Sequence, residues 1–494
     1  MPLEFPAWIR VTHFLNFLFL SLLLRSGLEI LSAHPRLYWN DDCWPGGEWL
    51  AFNATPYPRD QLFTADDQET DFPSWLALPG HRHWDLGRHW HFAAVNGWIA
   101  TGLVYGVLLF ATGEGRRLVP TSWGVFPAAW HVLVDYGHLH FAAQHGTRNA
   151  LQQLTYAGVV ILLAPLSIAT GAAMSPAVAG RFPGYIRLFH GRQAARSIHF
   201  LCLGCYVLFF IGHVTMVALH GFRRELALIT LGQARDADLG LALALGLGGI
   251  ALVVAIHLLA TRVSFRHPDW VQRGAELFVD PVRRALLGRL ASRQRYTRAD
   301  LSPYFWVNGR PPREEDYLAL ARDGFKDYVL PVGGLVEQPL RLTLADLRAL
   351  PRQVQITKHD CIQGWSGVAE WAGVPLGEII RRCRPLPSAQ DVVFWAFDEK
   401  SRSEPHAKAP GQYYGTIPMA MALQPQTLLA LEMNGEPLPT EHGAPLRLRL
   451  ETQYGFTMVK YIKAIEFVES FRKVGQGRGG WPEDHLYRSR EASI

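Results

Sequence analysis

The chain has 494 residues, of which 49 % are hydrophobic and 18 % are charged, and its net charge is +5. This length allows two or three domains, and a positive excess so small and so dispersed argues against nucleic acid as a partner. The mean hydropathy of only +0.04 indicates an apolar part averaged with a polar part. Residues up to about 260 contain the long uncharged runs, and the remainder has the composition of a soluble domain.

Five stretches in the first half predict membrane spans. Four of them run 20 to 22 residues without Asp, Glu, Lys or Arg, which matches the roughly 20 residues needed to cross the hydrocarbon core. The first uncharged run is shorter because Arg10 and Arg25 bound it; a cleaved signal peptide is the alternative there, but no small-residue cleavage site follows. The predicted spans are Phe14–Leu24, Phe92–Ala111, Leu154–Ala173, Ile198–Leu219 and Leu239–Ala260.

Histidines in these spans fall at matching depths. His199 and His213 are 14 residues apart in the fourth span, which is about 21 Å of helix rise and about 40° short of four turns, so they face one side at different depths. The alternating direction of the spans then puts His91 beside His199, and His13 beside His213. Ionisable residues in spans are costly and usually functional, and two stacked hemes require such pairs. Four histidines that only hydrogen-bond in helix packing are the alternative.

Several of these segments resemble a known family of membrane cytochromes. The stretches RVTHFLNFLFLSLLLRSGLEIL, GRHWHFAAVNGW and LTYAGVVILLAPLSIATGAAMSP, together with the fourth span, are similar to diheme cytochrome b subunits of nickel-iron hydrogenase, formate dehydrogenase and thiosulfate reductase over about residues 5–235. The resemblance implies two b-type hemes with paired histidine ligands and electron exchange with membrane quinone. His89 competes with His91 as a ligand, and His220 competes with His213. His257 in the fifth span is expected to be a packing residue.

The chain changes character after the fifth span. Residues 262–298 are rich in arginine with interleaved apolar residues, a pattern typical of an amphipathic helix on anionic headgroups; a solvated linker helix is the alternative. Asn308–Gly309 and Pro311–Pro312 indicate turns. The short β-rich runs that follow predict an α+β domain over residues 299–474, and a polar tail is expected from residue 475.

Cys361 lies in the stretch ITKHDCIQGWSGVAEWAGVPL. A thiolate is a soft ligand suited to a metal that cycles through oxidation states, and a buried structural cysteine is the alternative. The stretch and a second block, LLALEMNGEPLPTEHGAPLRLRLETQYGFTMVKYIKAIEFVE, resemble sulfite-oxidase-fold molybdopterin oxidoreductases. The resemblance implies that Cys361 binds molybdenum. By position in the motif, the residues expected to hold the pterin are His442, Arg447, Met458, Val459 and Lys460, with Asn308 and Gly309 as weaker candidates.

The residues around Cys361 bear on the substrate. Sulfite oxidases follow the ligand cysteine with basic residues that suit an anion, whereas this chain has Ile362–Gln363–Gly364–Trp365. That pattern is more similar to bacterial methionine-sulfoxide-reductase molybdoenzymes, whose substrate is neutral. His359 and Asp360 are candidates for proton delivery, and an ordinary hydrogen-bonded pair is the alternative. For Arg447 and Lys460 the alternative is plain surface charge.

The expected fold is an all-α membrane helical bundle of about five helices followed by an α+β sulfite-oxidase-type molybdopterin-binding domain. The expected boundaries are a diheme cytochrome b domain at 1–235, a fifth transmembrane helix at 236–261, an amphipathic linker at 262–298, the molybdopterin domain at 299–474 and a tail at 475–494.

The expected function is a membrane-bound molybdopterin oxidoreductase that uses quinol electrons, passed through two b hemes, to reduce an S- or N-oxide such as a sulfoxide. Oxidation of sulfite or a related sulfur compound, with electrons passed to quinone, uses the same parts. A non-catalytic heme electron conduit is the alternative of another class. A homo-oligomer or a partner cytochrome is possible within either interpretation.

The expected location is the bacterial inner membrane. The loop arginines nearly tie between the two faces, so the positive-inside rule does not fix orientation. Molybdenum domains are usually exported folded, and Arg223–Arg224 precedes the fifth span as in a twin-arginine signal. Both points favour a catalytic domain on the periplasmic face.

Overall fold

The structure is a computed structural model that describes residues 4–490 except 54, 59, 141–148, 235–236, 289, 291 and 404–409. The chain divides into two compact units. The helical unit comprises Met1–Glu29, Phe72–Met174 and Ala195–Gly288, and the sheet unit comprises Ile30–Asp71, Ser175–Ala194 and Arg289–Ile494.

Among the described residues, five helices are long and apolar enough to cross a membrane, which confirms the five predicted spans. They are Ala7–Ala33, Trp84–Ala111, Ala150–Met174, Arg192–Leu219 and Leu239–Arg266. The fourth continues as helix Arg192–Leu231, in which Gly221 has a φ of +116° that interrupts the helical geometry. The third contains a π-helical turn at Gly158–Leu163. Pro165 lies two residues after this turn, and its missing N–H and its ring account for the altered hydrogen bonding.

The first span is longer than its uncharged run because Arg25 lies inside the helix and is solvated by protein groups. Arg25 Nη1 donates to His257 Nδ1 over 2.8 Å, and Nη2 donates to the Thr261 hydroxyl over 3.1 Å and to the Ala77 carbonyl over 3.0 Å. His257 Nε2 lies 2.8 Å from the Ser21 hydroxyl. His257 therefore joins the first and fifth spans by hydrogen bonds, in keeping with a packing role.

The helical unit also contains the helix predicted in the linker. This helix, Pro268–Leu287, packs against Trp84–Ala111, and Asn96 Nδ2 donates to the Phe278 carbonyl over 3.3 Å. It leaves Trp270, Leu277 and Leu286 more than 60 % exposed, so it is amphipathic, and its contact with headgroups stays a prediction. The remaining helices of the unit are Gly115–Leu118 and Val125–Gly137.

The sheet unit is built on two five-stranded sheets with short helices, which confirms the expected α+β domain. The strands are β1 Arg36–Leu37, β2 Leu50–Ala51, β3 Val329–Gly334, β4 Leu340–Thr343, β5 Gln353–Asp360, β6 Ser366–Pro375, β7 Asp391–Glu399, β8 Gln412–Pro418, β9 Leu428–Met433, β10 Glu436–Pro437, β11 Arg447–Arg449 and β12 Ile462–Val468. One sheet has the order β10-β9-β6-β5 with β11 also on β9, and the other has the order β4-β3-β12-β7-β8. Only β3 and β12 pair in parallel among these described strands.

The core of the sheet unit lies where the apolar faces of these strands meet. In the antiparallel pair β7–β12, Phe394 lies opposite Ile465 and Val392 lies opposite Phe467, and all four side chains are buried. The unit also contains short helices. They are Pro176–Arg181, Pro183–Arg187, Glu315–Arg322, Leu344–Ala349, Leu376–Cys383, Lys400–Ser403, Met419–Ala422 and Trp481–Leu486.

Two segments that connect membrane helices belong to the sheet unit: residues 30–71 and residues 175–194. Residues 30–71 form the hairpin β1–β2, and their Tyr38, Cys43 and Phe63 pack in one apolar cluster with Trp306 and Cys361. Burial of these apolar side chains against the sheet domain explains why the segment folds with it. From sequence order alone, residues 30–71 were assigned to the predicted cytochrome b domain at residues 1–235.

The C-terminal residues 475–490 are packed, in contrast to the tail expected there. The Trp481 side chain is buried beside Val393 and Tyr414, and the Tyr414 hydroxyl donates to Asp484. The expectation of a tail from residue 475 is therefore wrong for these residues, because the Trp481 ring, the Tyr414–Asp484 hydrogen bond and the Arg490–Asp391 ion pair hold the segment against the domain.

Candidate metal centres

The first histidine pair lies in the helical unit between the second and fourth spans. The His91 and His199 ring centroids are 6.5 Å apart. His91 Nδ1 is 3.0 Å from the Ser26 hydroxyl, and His199 Nδ1 is 3.0 Å from the Thr170 hydroxyl. A histidine whose Nδ1 is held in this way binds a metal through Nε2.

The second pair joins the first and fourth spans. The His13 and His213 centroids are 6.3 Å apart. His213 Nδ1 is 3.3 Å from the Tyr156 hydroxyl, and the Phe209 ring stacks on His213 at 5.6 Å. The structure thus brings together the same two pairs that the spacing in the sequence predicts.

Both pairs have the separation that a metal between two imidazoles requires. With metal–nitrogen distances near 2 Å, ring centroids on opposite sides of one ion lie about 6 Å apart. The ring that faces His199 is that of His91, the predicted ligand. His89 was the competing candidate for this ligand position. The side chain of His220 lies outside the described residues. The four predicted histidines therefore fit two heme irons, and their ligand role stays a proposal.

Cys361 lies in the loop that connects β5 to β6. Its N–H donates to the Trp365 carbonyl over 3.0 Å, and Gly364 has a φ of +119° that favours glycine and closes the turn. Asn308 Nδ2 donates to Cys361 Sγ over 3.2 Å. Burial raises the pKa of the Cys361 thiol to about 12, although hydrogen bonds from the Gln363 backbone and Asn308 oppose this. Such a thiol is not a nucleophile at neutral pH, whereas a metal displaces its proton.

The predicted pterin residues connect to this cysteine through Asn308. Lys460 Nζ donates to the Asn308 carbonyl over 2.7 Å and to the Glu441 carbonyl over 3.1 Å. Gly443 has a φ of +118°, and a Cβ atom there would lie 3.0 Å from Lys460 Cβ and 3.3 Å from Arg447 Cβ. Glycine at this position lets the two cationic side chains approach each other.

Arg447 is well suited to bind an anionic or acceptor-rich group. Its Nη1 donates to the His442 carbonyl over 2.9 Å, and its guanidinium lies 5.1 Å from the Trp371 ring centroid. Within the described residues, Arg447 Nε and Trp371 Nε1 are buried without a hydrogen-bond partner. Burial and the neighbouring Arg449 lower the pKa of Arg447 to about 9. Buried donors of this kind are normally satisfied, so the residues fit the phosphate and ring acceptors of a pterin cofactor.

The two proton-delivery candidates are both engaged by basic side chains. Arg449 Nη1 donates to His359 Nδ1 over 2.9 Å, which places the ring proton on Nε2. Burial, followed by the charges of Arg447 and Arg449, holds the pKa of His359 well below its usual range. Asp360 pairs with Arg192 and lies 3.7 Å from Lys358 Nζ. These bonds orient both residues, and a part in proton delivery stays a prediction.

Met458 and Val459 have buried side chains in the apolar core of the sheet unit, and the Val459 carbonyl accepts from Leu448 N–H over 2.8 Å. Their side chains therefore support the site from the core. Burial and the charges of Arg447 and Lys460 lower the pKa of His442 to about 3, so this ring is neutral. Gly309 has a φ of +66°, which the turn at 308–309 predicts.

Several residues at the site are not among those predicted from sequence. Phe305 lies within 6 Å of the rings of His359, Trp365, Trp371 and His442. Arg449 is two residues after Arg447 on β11, and its charge is paired with Glu451 over 3.0 Å. The alternation in the stretch APLRLRL could have identified Arg449, since residues i and i+2 share a strand face.

Two families match the chain in consecutive regions. The family described as Prokaryotic cytochrome b561 matches residues 4–231, and the family described as Oxidoreductase molybdopterin binding domain matches residues 318–473. These matches and the five spans define a multi-pass membrane protein with a molybdopterin oxidoreductase domain. The chain thus resembles a fusion of a prokaryotic cytochrome b561 domain with a molybdopterin-binding oxidoreductase domain related to MsrP and YedZ proteins, and these matches imply a molybdenum cofactor and heme b.

Individual relatives cover only part of this organisation. The putative protein-methionine-sulfoxide reductase subunit YedZ1 of Azospira oryzae is 37 % identical over 158 residues, which are 32 % of this chain and 53 % of that protein. The protein-methionine-sulfoxide reductase catalytic subunit MsrP of Xanthomonas axonopodis pv. citri is 36 % identical over 151 residues, 29 % of this chain and 45 % of that protein. The chain thus spans about half the length of these relatives.

One solved structure is also similar. The sulfane dehydrogenase SoxCD of Paracoccus pantotrophus matches with a TM-score of 0.26 and 24 % identity, over 31 % of this chain and 42 % of that chain.

Proposed function

We propose that the chain reduces a small neutral S- or N-oxide at a molybdenum site on Cys361, with electrons taken from membrane quinol through two b hemes. The observation that carries this proposal is the buried Cys361 thiol, which accepts a hydrogen bond from Asn308, while the carbonyl of Asn308 in turn accepts from the Lys460 ammonium. A bound molybdenum cofactor supplies the oxygen-atom transfer chemistry. The chain's own residues bind and orient that cofactor and exclude water.

The cofactor-binding roles follow from the contacts. Cys361 would bind the metal. Arg447, Lys460 and the neutral His442 would hold the pterin and its phosphate, together with backbone groups of Asn308 and Gly309. Arg449 keeps His359 neutral and fixed beside Trp365, whose ring centroid is 5.5 Å away. We therefore assign His359 a role in positioning the residues of the site. It does not present a positive charge to the substrate.

A neutral oxide is favoured by the residues after Cys361. Ile362–Gln363–Gly364–Trp365 contain no cation that would attract an anion such as sulfite. The two relatives described above are named as protein-methionine-sulfoxide reductase subunits, so methionine sulfoxide is the first substrate to test. Reduction of a sulfoxide to a thioether and water consumes two electrons and two protons, which one quinol supplies.

The histidine pairs support electron delivery in single steps. His91 with His199, and His13 with His213, would each hold one heme, and two one-electron carriers in series match a two-electron quinol to a two-electron substrate. Sulfite oxidation with quinone as acceptor would use the same residues in reverse. A heme conduit without catalysis would not explain why Arg447 Nε and Trp371 Nε1 are buried without hydrogen-bond partners among the described residues.

We propose the periplasmic face for the sheet unit. Residues 30–71 and 175–194 lie in that unit. They are the connections between the first and second spans and between the third and fourth spans. Five alternating spans put these two connections and the chain after the fifth span on the same side of the membrane. Alkaline phosphatase and β-galactosidase fusions at residue 494 test the side; a signal from the cytoplasmic reporter alone contradicts it.

The decisive experiment follows the heme spectrum. The purified protein is reduced with a quinol analogue, and methionine sulfoxide is added. We expect reoxidation of the hemes, and we expect Cys361→Ser to abolish it while both hemes stay bound. Reduction of oxidised hemes by sulfite, with no response to sulfoxide, reverses the direction. Absence of molybdenum from pure, heme-replete protein favours the conduit.

A further inference from the structure

A residue next to the cysteine ligand is held by two carboxylates from the segment between the first two spans. Gln363 Nε2 donates to Asp66 Oδ1 over 2.7 Å and to Glu69 Oε1 over 3.1 Å. Gln363 is only 3 % exposed. Asp66 is anchored in turn, because its Oδ2 accepts from the Gly309 N–H over 3.2 Å.

These acceptors decide which end of the Gln363 amide faces the sulfur. The oxygen and nitrogen of an amide can exchange places at small cost in shape, so the surrounding hydrogen bonds fix the orientation. Two carboxylates accept only, so they take the NH₂ group. Gln363 Oε1 is left 3.5 Å from Cys361 Sγ and 3.4 Å from Asn308 Nδ2.

The consequence concerns a metal-bound thiolate at Cys361. Hydrogen-bond donors to a ligand sulfur withdraw electron density and raise the reduction potential of the metal. In the observed orientation Asn308 donates to the sulfur, whereas Gln363 presents a lone-pair oxygen to it. If Gln363 turned over, its NH₂ group would become an additional donor to the sulfur.

We propose that Asp66 and Glu69 are positioning residues that keep the Gln363 amide nitrogen away from the Cys361 sulfur, and thereby hold the reduction potential of the molybdenum site low. This inference rests on the proposed molybdenum ligation by Cys361. It also assigns a role in the metal site to residues 30–71, which lie outside the region matched by the molybdopterin family.

The test is the molybdenum midpoint potential, measured by redox titration with EPR detection on full-length, heme-replete protein. In Asp66→Asn/Glu69→Gln, neutral amides replace both carboxylates and the orientation of Gln363 is no longer fixed. We expect a rise equivalent to about a tenfold change in the one-electron equilibrium constant, or about 59 mV. Asp67→Asn is the matched control for the loss of a neighbouring negative charge, since Asp67 bonds instead to Arg310 over 2.6 Å, and it should raise the potential by clearly less than the double variant does.

Loss of negative charge alone would also raise the potential, so the same variants are repeated in a Gln363→Leu background. We expect the shift to disappear there, because an effect carried by Gln363 cannot act without its amide. A shift that persists undiminished overturns the inference, as does an unchanged potential in the fully molybdenum-loaded double variant. The single variants Asp66→Asn and Glu69→Gln give the same test if the double variant does not fold. Failure of the proposed function is distinguishable, since pure, heme-replete wild-type protein would then contain no molybdenum.

Discussion

Arg192 forms a buried ion pair with Asp360, the residue that precedes Cys361. Arg192 Nη1 also donates to the Ser366 hydroxyl over 3.1 Å, and Gln193 Nε2 donates to the Gly364 carbonyl over 2.9 Å. Residues 192 and 193 begin helix Arg192–Leu231, on which His199 and His213 also lie. The loop that presents the cysteine is therefore fixed at both ends by a segment that the sequence places between two membrane spans.

Replacement of Arg192 by methionine should destabilise the sheet unit strongly. The change removes the main partner of the buried Asp360 carboxylate, and breaking a buried ion pair costs about 3–5 kcal/mol. We expect the apparent Tm of the sheet unit in detergent to fall by about 10 °C. Arg352→Met is the control, because Arg352 and Glu432 form a largely exposed pair worth no more than about 1 kcal/mol. Equal effects of the two substitutions would contradict the role of Arg192.

Removal of any one of the paired histidines should remove one heme and leave the other. We expect His199→Ala and His91→Ala to lower the heme content from two to about one per chain, because one imidazole does not retain a b heme in a bis-histidine site. The pyridine hemochrome assay measures this content. His257→Ala is the control: its ring is hydrogen-bonded to Ser21 and Arg25, and both hemes should remain. Full heme content in His91→Ala would make His89 the ligand instead.

The spans and the histidine pairs were predictable because they depend on local periodicity. A helix fixes the angle between His199 and His213 whatever surrounds it, and an apolar run of 20 residues has few alternatives to a membrane span. The first span was recognisable only in part, since nothing near Arg25 in the sequence indicates that His257 and Thr261 would solvate its charge. Whether a membrane helix can continue past an internal charge therefore depends on partners that are distant in the sequence.

Replacement of Arg447 by methionine should reduce cofactor retention without unfolding the domain. Methionine keeps much of the side-chain volume beside Trp371 and removes the buried cation. Loss of one hydrogen bond to a charged group costs about 1.5–3 kcal/mol, so we expect the affinity for the cofactor to fall at least about tenfold. Molybdenum per heme, measured by mass spectrometry, reports this directly. Arg472→Met provides the control, because Arg472 lies against the Phe471 ring away from the site.

The cysteine ligand and the pterin residues were predictable from resemblance, whereas their supports were not. Asp66, Glu69 and Arg192 lie between membrane spans, and no spacing in the sequence connects them with Gln363 or Asp360. They reach the cysteine loop only because residues 30–71 and 175–194 fold with the sheets. Trp481 likewise gives no local sign that residues 475–490 are packed. Tertiary contact rather than local pattern determines all of these positions.

Glu483 should make the stability of the C-terminal segment depend on pH. Burial raises the pKa of Glu483 to about 7 from 4.5. Between these values the unfolded chain releases the proton while the folded chain keeps it, so the free energy of unfolding falls as pH rises and the full loss is present above pH 7. A shift of this size corresponds to at most about 3 kcal/mol. Glu483→Gln should therefore stabilise helix Trp481–Leu486 at pH 8 and have little effect below pH 5, as measured by hydrogen exchange of its amides. Glu436→Gln, at an exposed strand position, should leave the hydrogen exchange of these amides unchanged at both pH values. A Glu483→Gln gain equal at both pH values would contradict a buried, titrating carboxyl at this position.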